Sequence, residues 1–114
     1  MRSATTQITS SFNLAQITSK LELLLEANHQ QPLFKIGSDT VTIEKKADLY
    51  IIKNGPETYF IPTKESTRGQ EPYYIQEAPN ITITAILKNA PEQTAKLSSL
   101  LDRLERATIT IKLP

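Results

Sequence analysis

Asn80-Ile81-Thr82-Ile83-Thr84-Ala85-Ile86-Leu87-Lys88 is the stretch on which the fold turns. Threonine alternates with isoleucine, and β-branched side chains favour extended backbone. A period of two puts Ile81, Ile83, Ala85 and Leu87 on one side and the threonines on the other, the pattern of a half-buried strand. The same alternation recurs at Thr40-Val41-Thr42-Ile43 and Thr108-Ile109-Thr110-Ile111. Leu33–Ile36, Thr40–Glu44, Leu49–Lys53, Thr58–Ile61 and Tyr73–Gln76 read as further strands, and Thr5–Ser11 is a weaker candidate. Asn54-Gly55 resembles a hairpin turn. Pro56 follows, however, and lacks the N–H that would close a two-residue loop there, so a longer or open connection is expected.

Two segments carry the helical period instead. Over 13–28, Asn13 caps and Gln16 stands at the third helical position, a capping box, while Phe12 and Ile17 are placed for a hydrophobic staple. Leu14, Ile17, Leu21, Leu24 and Leu25 form its apolar stripe. Over 90–106, Pro91 suits the first turn and Glu92 the positive helix end. Leu97, Leu100, Leu101 and Leu104 repeat at i, i+3, i+4, i+7. Thr108–Leu113 is then read as a closing strand inside the sheet. The fold expected is α+β: a two-layer sandwich with a mainly antiparallel sheet of five to seven strands and two helices packed on one face.

A chain of 114 residues makes a single domain with one core, 1–114. The absence of cysteine excludes disulfides, thiolate catalysis and cysteine-based zinc or iron–sulfur sites. It also favours the cytoplasm over a secreted setting. No apolar run approaches the roughly 20 residues that cross a bilayer, and no apolar signal core follows Met1, so no membrane partner is expected. Thirteen basic residues stand against twelve acidic ones, spread along the chain, whereas nucleic-acid binders concentrate positive charge.

Residues with chemical potential are few. His29 is the sole imidazole, and it follows a helix end where a cation is favoured anyway. No Gly-x-Ser-x-Gly elbow, phosphate loop or His-Glu-x-x-His is present. No catalytic residue, cofactor or metal is therefore assigned. A helical wheel turns Leu23 about 180° from Leu14, with Ala27 beside it, a small patch suited to a helix-mediated contact. The loop 63–76 gathers Lys64, Arg68, Tyr73 and Tyr74, basic and aromatic groups of the kind that grip nucleic acid, but with Glu65, Glu71 and Glu77 among them. Thr82, Thr84 and Thr110 mark an open threonine face that could receive a partner. An RNA-recognition sheet would present aromatics there, and these alternating strands offer threonines.

These features favour a small non-catalytic interaction module, a subunit, adaptor or inhibitor whose partner is another protein or a second copy in a homo-oligomer. A nucleic-acid-binding regulator using the 63–76 loop, with Lys45 and Lys46 in support, is the less favoured alternative. A small enzyme with a carboxylate or His29 as base is the third.

Overall fold

The computed structural model describes residues 12–64 and 71–112. Its order is α1 (Leu14–Ala27), β1 (Leu33–Ile36), β2 (Asp39–Lys46), β3 (Leu49–Asn54), β4 (Glu57–Pro62), β5 (Tyr73–Ala78), β6 (Ile81–Ile86), a 3-10 turn at Leu87–Asn89 and α2 (Pro91–Lys112). The strands form a six-stranded antiparallel meander in chain order, β1 and β6 at its edges. The result is an α+β two-layer sandwich.

The hairpins are tight. Gly37, Ala47 and Gly55 each take a positive φ as the first residue of a two-residue turn. The β3–β4 connection corrects the expected longer loop. Its central residues are Gly55-Pro56, one position on from Asn54-Gly55, so Asn54 and Glu57 close the hairpin and the proline is not asked to donate.

α1 begins as its sequence demands, with the Gln16 N–H donating to Asn13 Oδ1 at 3.1 Å. Its end is made without glycine. His29 and Gln30 adopt φ of 58° and 61°. The Gln30 N–H donates to Leu25 O at 2.7 Å and the His29 N–H to Glu26 O at 3.1 Å, the paired bonds of a Schellman motif. The Asn28 side-chain amide then donates to Gln31 O and Leu33 O, tying the reversal to β1.

Both helices bury their stripes in one cluster. Ile17, Leu21, Leu24 and Leu25 of α1 and Leu97, Leu100, Leu101 and Leu104 of α2 meet Phe34, Val41, Ile43, Tyr50, Ile52, Tyr59, Ile61 and Tyr74. These strand residues all share one side of the sheet, as the register requires. Ion pairs at the rim join α1 to α2 through Lys20 and Asp102, and α2 to the sheet through Lys96 and Glu57 at 3.2 Å.

The C-terminal expectation is corrected. Thr108–Leu113 does not form a closing strand: the backbone of α2 runs on through Lys112. No glycine or proline interrupts 92–112. Extending an existing helix needs no new nucleus, and threonine and isoleucine cost only about 0.7 kcal/mol or less per residue there. Thr110 is therefore a helix residue and belongs to no threonine face. The candidate strand Thr5–Ser11 and Arg68 lie outside the described residues.

Candidate functional site

The side of the sheet turned away from the helices carries Leu33 and Lys35 of β1 and Thr40, Thr42, Glu44 and Lys46 of β2. β3 adds Leu49, Ile51 and Lys53, and β4 adds Thr58, Phe60 and Pro62. Tyr73, Ile75 and Glu77 come from β5, and Thr82, Thr84 and Ile86 from β6. Among the described residues no helix lies on this side. A lateral row runs Glu44, Ile51, Phe60, Tyr73, Ile86 through successive pairings. Its middle is apolar and aromatic. The Phe60 and Tyr73 rings stack, with centroids 4.6 Å apart and planes inclined by 13°. Ile51, Phe60, Tyr73 and Ile75 are half-buried by their neighbours, while Ile86 and Leu33 keep 41% and 50% of their surface in solvent, too much for core residues.

Threonines border this strip. Thr82 and Thr84 are exposed on one edge strand, and Thr40 and Thr42 lie on the other side of the apolar middle. The face is thus an aromatic and aliphatic band with threonine margins: Thr82 and Thr84 lie on the open side as alternation indicates, and the aromatics between the margins are what the threonine pattern does not show. A signal for them was present. Tyr50-Ile51-Ile52, Tyr59-Phe60-Ile61 and Tyr73-Tyr74-Ile75 are unbroken apolar triplets, which place apolar side chains on both sides of a strand.

The loop candidates scatter. Tyr74 is wholly buried on the helix side and is no surface contact; its hydroxyl meets Gln76 Oε1 at 2.9 Å and Glu57 Oε2 at 3.3 Å. Tyr73, one residue away, points to the open side, as strand alternation dictates. Lys64 is exposed and pairs with Glu22 of α1 at 3.4 Å. On α1, Leu23 keeps 61% of its surface exposed, as its wheel position indicated, and Ala27 is half-buried.

Beside α2 lies a cleft of about 470 Å³ lined by Asn54, Glu57, Tyr59, Glu92, Lys96 and Arg103 among others. Glu57 organises it. Its carboxylate accepts from the Tyr59 and Tyr74 hydroxyls and from the Lys96 ammonium. Burial, and then the Glu57 charge, push both phenols above their ordinary value. The hydrogen bond and charge of Glu57 hold the Lys96 ammonium above its own. Two carboxylates, Glu57 and Glu92, line this cleft, but Glu57 is committed to three donors, of which Lys96 joins α2 to β4. His29 lines neither this cleft nor a smaller one beside β2; it is the exposed residue where α1 reverses. Among the described residues no group of three or more His, Asp or Glu side chains could hold a metal ion, and no helix is long and apolar enough to cross a membrane.

Comparison with family models, curated proteins and solved structures returns no match to this chain.

Proposed function

We propose that this chain is a small non-catalytic interaction module that binds another protein through the open face of its sheet. The observation that carries the reading is the band Ile51, Phe60, Tyr73, Ile75 and Ile86, apolar and aromatic, with no helix over it among the described residues. A sheet with one side packed and the other wet ordinarily turns polar residues outward. Contiguous apolar surface on the outward side is a feature of contact surfaces, and aromatic residues are enriched at their centres. Leu23, exposed on α1, is a second and smaller contact candidate on the opposite layer.

The test is Phe60→Glu, placed in the middle of the band and outside the core. Immobilised wild-type and variant chains are compared for the proteins each retains from native cell extract, with circular dichroism to confirm equal folding. The wild type retains a defined set that the variant loses. Equal retention by both, or none by either, contradicts the reading.

One observation favours nucleic acid as a second reading: Phe60 and Tyr73 stand on the open face near Lys53, as stacking platforms do. It is the weaker one. The two rings stack on each other, and Glu44 and Glu77 share the face with Lys35, Lys46 and Lys53. Binding to a single-stranded oligonucleotide that weakens steeply with added salt would favour this reading over protein binding.

A further inference from the structure

The two edges of the sheet are unlike. β1 has four residues, follows Pro32 and carries Lys35. β6 has six residues, Ile81–Ile86, with no charge and no proline. It is open on both sides, with Ile81, Ile83 and Ile86 exposed to 58%, 43% and 41%. Edge strands are normally guarded by lysine, proline, a bulge or shortness, because their unpaired backbone groups are a template for another strand. β1 has such guards; β6 has none of them.

The phase of the ladder shows which groups are on offer. The Leu87 N–H donates to Pro72 O at 3.0 Å, and hydrogen-bonded positions alternate along an antiparallel pair. Ala85, Ile83 and Ile81 therefore turn their backbone groups toward β5, and Thr82, Thr84 and Ile86 turn theirs outward. Among the described residues no strand pairs with that outer side.

We propose that β6 pairs antiparallel with β6 of a second copy of this chain, about a two-fold axis between the two Thr84 residues. The axis stands perpendicular to the sheet, so both copies keep their helices on the same side. The register sets Thr84 against Thr84 and Thr82 against Ile86 on the open side, and Ile83 against Ala85 on the helix side, with Ile81 at the end of the facing strand. Every outward N–H and C=O of Thr82, Thr84 and Ile86 then finds a partner, two bonds to each of these pairs. Ile83 and Ile86, which solvent now reaches, are covered in part by Ala85 and by the Thr82 methyl of the second copy. The strand bears no charge, so no like charges meet across the axis. One strand pair is small beside the roughly 1,200 Å² at which stable interfaces begin, so the dimer depends on concentration. The inference rests on the backbone of one edge, not on the Phe60 face.

A chain without cysteine makes the test clean. Thr84→Cys and Thr82→Cys proteins are oxidised mildly and followed on non-reducing gels, and the wild type and Thr84→Lys are compared by sedimentation equilibrium. Opposed Thr84 Cα atoms would lie about 5.5 Å apart, within disulfide reach, whereas the two Thr82 positions would be offset by about 13 Å along the strands. Thr84→Cys cross-links at least about ten-fold faster than Thr82→Cys, and Thr84→Lys weakens the dimer by about ten-fold or more. A wild type that stays monomeric at all concentrations overturns the proposal. So do equal cross-linking rates, which would mean chance collision, and a dimer indifferent to Thr84→Lys. Loss of partner capture in Phe60→Glu with the dimer intact separates this edge from the open face.

Discussion

Ile51 and Ile52 are neighbours in one strand and have the same side chain, yet they stand in different parts of the molecule. Ile52 is wholly buried between β2, β4 and the helices; Ile51 lies half-buried in the aromatic band on the other side. One side of the sheet holds the chain together, and the other adds little to the core and carries the proposed contact surface. The contrast extends to the tyrosines: Tyr74 is locked into the Glu57 network and Tyr73 stacks on Phe60 in the open.

The largest contrast lies between the packed side and the outer side of the helix layer. Leu101→Ala, at a fully buried position, should lose about 2–5 kcal/mol of unfolding free energy in denaturant titration. Leu23→Ala, on the outer side of the other helix, should stay within about 0.5 kcal/mol. A large loss at Leu23 would mean that this side is also covered.

Alkaline titration probes the polar rim of the packed side. The Tyr59 and Tyr74 phenols are raised by burial first and by Glu57 second. The folded state thus holds their protons more tightly than the unfolded state. That contribution is fully present below the ordinary phenol value of about 10 and is lost as pH rises above it. The raised Lys96 ammonium acts in the same direction. Phenolate absorbance from these two residues should appear only together with the loss of circular dichroism, and Tyr59→Phe should move that loss to higher pH. Ionisation of Tyr59 or Tyr74 near 10 in a chain that stays folded, identified by comparison with the Tyr→Phe variants, would contradict the network.

A smaller effect belongs to the helix end. His29 occupies a left-handed conformation, φ 58°, that glycine adopts without strain. His29→Gly should raise stability by about 0.5–1 kcal/mol in thermal or denaturant unfolding. A marked loss would give the imidazole a role that its exposed position does not indicate.

Most of this architecture was legible in the sequence, and the reasons are local. Asn13, Gln16 and the leucine stripes announce both helices, and short runs of β-branched and aromatic residues between turn signals announce all six strands to within two residues at each end. Thr108–Ile111 misleads because alternation reports a preference, while a helix already under way up to Ala107 sets the cheaper continuation. The open face is less legible for a related reason. The Thr-X-Thr segments mark only its margins, and its middle comes from the apolar triplets of β3, β4 and β5, which include Ile51 and Phe60. Tyr73 and Tyr74 are close to Lys64 in sequence, but the two-residue period of a strand sends them to opposite sides.

The most direct measurement is the pair Ile51→Glu and Ile52→Glu, each followed by denaturant unfolding. Ile52→Glu would bury an unpaired carboxylate and should abolish cooperative folding. Ile51→Glu should still fold and unfold cooperatively, at a cost of about 1–2 kcal/mol from its half-buried contacts and the facing Glu44, since its side chain lies on the open side. If Ile51→Glu instead collapses the fold as Ile52→Glu does, the second face is already covered and the proposed binding surface does not exist.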